Sequence, residues 1–150
     1  VDLAMTRAAG ASPITGNYRL TVAASRSCSL PAEAMERQYD AVVEESPRGI
    51  TVWVPGEAMV AWGGQAGFIG QQDADALTFS IKDTFDDGFN MIERLPSLGD
   101  LYLSGTASAR VAGGTIVGGA FQGQLKLRPA WGVGITGDCT ATDHRLEFSR

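Results

Sequence analysis

The sequence predicts an all-β domain: a single up-and-down antiparallel β-barrel of about eight strands with one or two short helical turns. Three observations lead there. Apolar residues recur with a period of two in one segment after another, as strands with one buried face require. The connections between these segments are short, and none holds the long helix that a parallel crossover needs. Glycine accounts for 19 of 150 residues, a content that works against a helical bundle. A length of 150 suits one domain, and 44% apolar residues suffice for its core. A two-sheet β-sandwich is the alternative, but closing the sheet removes the exposed edges that invite aggregation.

Residues 1–15 read as an N-terminal arm and 16–150 as the barrel domain. In the arm, Asp2 is placed to cap a short helix and Gly10 to stop it, and an extended arm is the other reading. The first strand begins at Tyr18, where Tyr18, Leu20, Val22 and Ala24 alternate with Arg19, Thr21, Ala23 and Ser25. Leu30 to Glu36 reads as one or two helical turns, with Pro31 near the start and Glu33 in the first turn. Tyr39, Ala41 and Val43 mark a second strand, Ser46-Pro47-Arg48-Gly49 a turn, and Ile50, Val52 and Val54 the returning strand of a hairpin. Short apolar stretches follow at 58–62 and 68–70. Leu77, Phe79 and Ile81 define a further strand, and Asp86-Asp87-Gly88 a turn. From Phe89 to Leu95 the spacing of Met91, Ile92 and Leu95 fits a helical turn that Pro96 ends. Leu101 to Arg110 and Thr115 to Arg128 are long strands joined by Ala112-Gly113-Gly114, a tight hairpin signal. Gly118, Gly119 and Gly123 predict bulges in the second of them. The last strand, Thr140 to Phe148, places His144, Leu146 and Phe148 on one face.

Cys28 and Cys139 are the two cysteines. Neither belongs to a C-x-x-C pair or stands at metal-ligand spacing from a histidine, and both lie in polar, turn-like surroundings. Two buried thiols are the alternative to a disulfide. In a closed meander the first and last strands are neighbours, so Cys28 at the end of one and Cys139 at the start of the other come close. Disulfides persist in oxidising compartments, which predicts a secreted, periplasmic or cell-surface protein; the cysteines alone carry that inference. A net charge of −5 argues against nucleic acid, and no apolar run reaches the length of a membrane span.

Gly16-Asn17-Tyr18 resembles the G-x-W strand opening of the calycin barrels, the lipocalins and avidins, with Tyr in place of Trp. The resemblance implies a meander barrel over residues 16–148, with Arg145 near the Tyr18 ring and an interior able to hold a small apolar ligand.

No set of residues reads as catalytic. His144 is the lone histidine and Asp143 precedes it, but adjacent strand residues face opposite ways and no serine elbow is present. Residues 83–90 resemble a calcium loop whose third and twelfth positions, Phe85 and Arg94, are wrong for an EF-hand. A solvated acidic turn, or a loose surface calcium site on Asp83, Asp86 and Asp87, is what remains. The glycine pairs 113–114 and 118–119 precede neither Lys-Ser nor a helix, so they form no phosphate loop. No metal or cofactor is expected.

Two functions follow. One is a non-catalytic interaction or structural subunit that meets a protein partner, or itself, through Trp53 and Val42 on the outer face and Leu3 and Met5 in the arm. Ile116 belongs with Val42 as an apolar break in a polar outer face, while Trp131 or the 89–95 turn offers cover for Trp53. The other is a carrier of a small apolar ligand, held inside by Tyr18, Tyr39, Phe79 and Leu103. Small inward residues, Ala24, Ala41, Gly105, Ala107 and Ala109, would leave it room.

Overall fold

A computed structural model describes residues 14–60, 65–84, 89–129, 134 and 136–150. The elements are β1 (Gly16–Ala23), α1 (Ala32–Met35), β2 (Glu36–Ser46), β3 (Gly49–Trp53), β4 (Gln65–Asp73), β5 (Ala76–Ile81), β6 (Phe89–Asn90), β7 (Ile92–Leu95), β8 (Gly99–Ala112), β9 (Thr115–Arg128) and β10 (Gly137–Ser149). Neighbours run β3-β2-β1-β10-β9-β8-β5-β4, and a β3–β4 pairing joins the two ends of that path. The eight strands therefore form a closed barrel, antiparallel throughout, and the sandwich alternative falls away. Along the way β1 pairs β10, with Leu20 opposite Phe148 and Val22 opposite Leu146, as the closed meander requires.

The two ends of the barrel differ. At one, strands are joined by tight turns at 47–48, 74–75 and 113–114. Gly113 and Gly114 both have positive φ, 61° and 76°, the backbone of a two-residue hairpin turn whose twist matches its strands. At the other end lie α1, β6, β7 and the Cys28–Cys139 disulfide, with a Cα–Cα distance of 5.7 Å. We refer to these as the hairpin end and the disulfide end.

Alternation put the expected residues inside. Tyr18, Leu20, Val22, Ala41, Val43, Ile50, Val52, Val54, Leu77, Phe79, Ile81, Leu101, Leu103, Leu146 and Phe148 are all buried. An aromatic ladder crosses the interior: Tyr18 to Phe148 at 5.9 Å, Phe148 to Phe79 at 5.7 Å and Phe79 to Phe68 at 5.2 Å between ring centroids. Each step buries large rings edge-on or tilted, the favourable arrangements for their quadrupoles.

Three readings change. The stretch expected as a helical turn at 89–95 is instead β6 and β7. Its cause is the sheet: β5 ends at Ile81 opposite Gly105, which leaves the lower edge of β8 without a partner. Segment 92–95 fills that edge, pairing Ile92 with Tyr102 through to Leu95 with Gly99. Both faces of β7 are buried at Ile92 and Glu93, so the alternation that marks a strand is missing. Ile116, expected on the outside, is fully buried. The β8–β9 register slips between Ser108 and Arg110, where β9 holds one extra residue around Gly118 and Gly119. This bulge reverses the inward phase, so that even-numbered Ile116 and odd-numbered Phe121 both face the core. Finally, the short strand at 68–70 extends over Gln65–Asp73. Leu3, Met5, Trp62, Trp131, Asp86 and Asp87 lie outside the described residues.

Candidate functional site: a buried polar network and an outer apolar face

Arg37 begins the inward row of β2 that continues with Tyr39, Ala41 and Val43. An inward arginine needs a partner, and Glu93 on β7 supplies it. Arg37 Nε donates to Glu93 Oε1 at 2.7 Å, Nη2 donates to Oε2 at 2.5 Å, and Nη1 donates to the Ala34 carbonyl at 2.7 Å. Tyr39 Oη donates to Glu93 Oε1 as well. Glu93 is fully buried and Arg37 is 9% exposed. Burial works against the Arg37 charge, but the Glu93 carboxylate more than offsets it and raises the guanidinium pKa. Burial first, then the Glu93 charge, push the Tyr39 phenol well above its ordinary value. Within the network each charge has its counter-charge, and each side-chain nitrogen and oxygen of Arg37, Tyr39 and Glu93 takes part in a hydrogen bond. It ties β2, β7 and α1 together across the disulfide end. Near it in sequence, Asn90 is fully buried, and among the described residues neither of its side-chain amide atoms has a hydrogen-bond partner.

His144 shares the inward face with Leu146 and Phe148 and Asp143 is exposed, so the two do not form a catalytic pair. The Ser25 N–H donates to His144 Nδ1 at 2.9 Å, and Nε2 lies 3.1 Å from the Gly123 carbonyl. The ring stacks on Phe121 at 5.5 Å. Burial is the main cause holding the His144 pKa below its ordinary value. Asp83, once a calcium candidate, is ion-paired with Lys126 at 3.0 Å.

The resemblance placed Arg145 against Tyr18. Arg145 instead lies opposite Ala23 and pairs with Glu36 and Glu147 at 3.4 and 3.3 Å. Tyr18 and Ala23 are five residues apart on β1, roughly 16 Å of strand, so Arg145 belongs to the other end of the barrel. Arg150 takes the position over the Tyr18 ring, 4.7 Å from its centroid, and donates to the Thr15 carbonyl at 2.7 Å. Tyr18 Oη donates to the Ile14 carbonyl at 2.8 Å, which fixes the chain where it enters the barrel.

On the outer face, the register aligns Asn17, Val42, Trp53 and Gly67 across β1 to β4. The structure thus brings the two outer-face candidates, Val42 and Trp53, into adjacent positions, both half-buried. Trp53 packs against Phe89 with the ring centroids 5.2 Å apart and the planes tilted by 42°, and its Nε1 donates to Glu44 Oε2 at 3.0 Å. Its cover therefore comes from the 89–95 segment, one of the two expected sources. Beside Phe89 a cavity of about 510 Å³ opens, lined by Gly67, Ile69, Thr78, Ser80, Lys82 and Thr106 among others. Thr78, Ser80 and Thr106 are exposed, so this cavity lies outside the barrel wall. Its floor is bare at Gly67, where a Cβ would stand 2.1 Å from the Val52 carbonyl oxygen and no side chain fits.

Of the residues expected to line an internal ligand site, Tyr18, Phe79 and Leu103 are buried in the core and Tyr39 is committed to Glu93. Of the small inward residues, Ala41 and Ala107 are fully buried while Ala109 is half-buried. Sequence reasoning missed the Arg37–Glu93–Tyr39 network. The phase of β2 was a signal for Arg37, since it shares parity with Tyr39 and Val43. For Glu93 there was none, because its segment reads as helical. Comparison with protein-family models, curated proteins and solved structures found no match for this chain.

Proposed function

We propose that this barrel is a non-catalytic interaction subunit that holds a protein partner against the outer face of β2 to β5. The observation that carries this reading is the continuity of Val42, Trp53 and Phe89 with the cavity beside Ile69. A strand face turned to water has no stability reason to collect two aromatic rings and a concavity, and such a patch marks contact surfaces. Its chemistry suits a partner that inserts one apolar side chain and hydrogen-bonds, through its backbone, to the hydroxyls of Thr78, Ser80 and Thr106. The interior supports the same reading, because the aromatic ladder occupies it with the protein's own rings. The disulfide supports a secreted or periplasmic setting.

The test is site-specific photo-crosslinking in an extract of the native source. A crosslinking residue at Ile69 should capture one protein, and Trp53→Ala should abolish that capture while leaving the melting temperature within a few degrees. A crosslinker at Ala120, exposed on β9 across the barrel from β3 and β4, should capture nothing. Equal capture from both positions, or capture that survives Trp53→Ala, overturns the proposal. So does displacement of a bound fluorescent fatty acid from the barrel by apolar competitors, which would favour the carrier.

A further inference from the structure

Ser25, Arg26, Ser27 and Cys28 form a turn between β1 and α1, with the Cys28 N–H donating to the Ser25 carbonyl at 2.9 Å. The turn is anchored on both sides. Before it, the Ala24 N–H donates to the Met35 carbonyl at 2.7 Å; after it, Cys28 is bonded to Cys139. Between these anchors, the Ser25 N–H donates to His144 Nδ1. A backbone N–H can only donate and a carbonyl can only accept. Nδ1 therefore carries no proton, and Nε2 carries the one it gives to Gly123.

We propose that His144 is a proton-operated latch: a proton arriving at Nδ1 breaks the Ser25 bond and opens the Ser25–Cys28 turn at the disulfide end of the barrel. The ring is 1% exposed and lies against Phe121, so an imidazolium there would be short of solvation. The charged groups around it do not rescue it in place. Arg37, from β2, repels the new charge, and the carboxylate nearest to Arg37, Glu93, is already shared between Arg37 and Tyr39. Asp143 attracts it, but from the exposed side of β10. Water has a ready route. A cleft of about 290 Å³ is lined by Ala24 and Arg26, on either side of Ser25, and by Asp143 and Arg145, on either side of His144. Outward displacement of the turn joins the ring to that cleft, where Asp143 can meet the charge. The disulfide keeps the turn tethered, so the opening is local and reversible.

The experiment is amide exchange in the native, oxidised protein from neutral pH down to about 4, with each rate divided by its intrinsic value at that pH. Protection of the Ser25 amide should fall by up to about tenfold per pH unit as the pH drops from the ordinary imidazole range to the lowered His144 midpoint, since one proton drives one opening, and should level off below that midpoint. The Ala24 amide, held by Met35, should keep its protection. In His144→Gln, whose amide can accept from Ser25 and donate to Gly123 without titrating, the pH dependence should vanish. Ser25 protection that stays flat while the ring titrates overturns the latch, as does an equal fall in His144→Gln. If that variant does not fold, the ring ¹⁵N shifts of the unmodified protein decide: midpoints that coincide with the Ser25 transition support the latch, and separate midpoints overturn it.

Discussion

Arg37 shows how one charged side chain is accommodated inside an apolar barrel. It gives three hydrogen bonds, two of them to a carboxylate that water does not reach. Such a pair adds little compared with well-packed apolar residues, because both ions had to be stripped of water; breaking it leaves one buried charge uncompensated. Arg37→Met should therefore cost about 3–5 kcal/mol in urea unfolding. The double variant Arg37→Met with Glu93→Leu should recover most of that loss. Equal costs for the single and double variants would show that the packing of the arginine stem, not its charge, is what matters. Only half of this site is legible in the sequence. Arg37 stands in an inward phase that its neighbours announce, but the partner lies 56 positions away on a segment with no visible alternation.

At the scale of the element, β9 decides how the barrel wall curves. Its pattern of burial reads apolar at Ile116, then at Phe121, Leu125 and Leu127, a change of phase that only a bulge allows. Gly119 has φ of 146°, and a Cβ there would stand 1.7 Å from the Leu146 carbonyl oxygen of β10. Gly118 has φ of 68° with open space around it. Gly119→Ala should thus cost about 3 kcal/mol, from backbone strain and separation of two strands together. Gly118→Ala should cost about 1 kcal/mol, from its left-handed backbone alone. Thermal unfolding of the two variants side by side checks the order; equal losses would place the bulge elsewhere. The glycines were legible as bending points. That they turn Ile116 inward was not, because a bulge shifts the phase of every residue before it relative to those after it, and its position is set by register with β8 and β10.

For the whole molecule, closure depends on β1 and β10 meeting, and the disulfide binds the two segments that flank that meeting. The bridge spans 111 residues of sequence, nearly the full circuit of the barrel. Removing it by Cys28→Ser with Cys139→Ser should lower stability by about 4–5 kcal/mol on chain-entropy arithmetic. The native strand pairing should remain, because the register from Arg19↔Ser149 to Ala23↔Arg145 holds the seam by itself. Equilibrium urea unfolding with circular dichroism of the folded baseline measures both. A loss under about 1 kcal/mol would mean that the unfolded chain already keeps these ends together. Arginine side chains also anchor both ends of the barrel: Arg150 over Tyr18 at the hairpin end, and Arg37 with Glu93 and the Ala34 carbonyl of α1 at the disulfide end.

By itself the sequence determined the class and the meander order, and it brought the two cysteines together, leaving the structure to show them bonded. These rest on local facts, period-two alternation and turn residues, and on the topological consequence that a meander's first and last strands are neighbours. The tertiary structure decided what fills the unpaired edge of β8, which arginine lies on Tyr18, and where Ile116 and Glu93 point. It also placed Val42, Trp53 and Phe89 on one patch of the outer wall. Each of these depends on register between strands distant in sequence, and register is settled by the sum of pairings around the closed ring, which no single segment encodes.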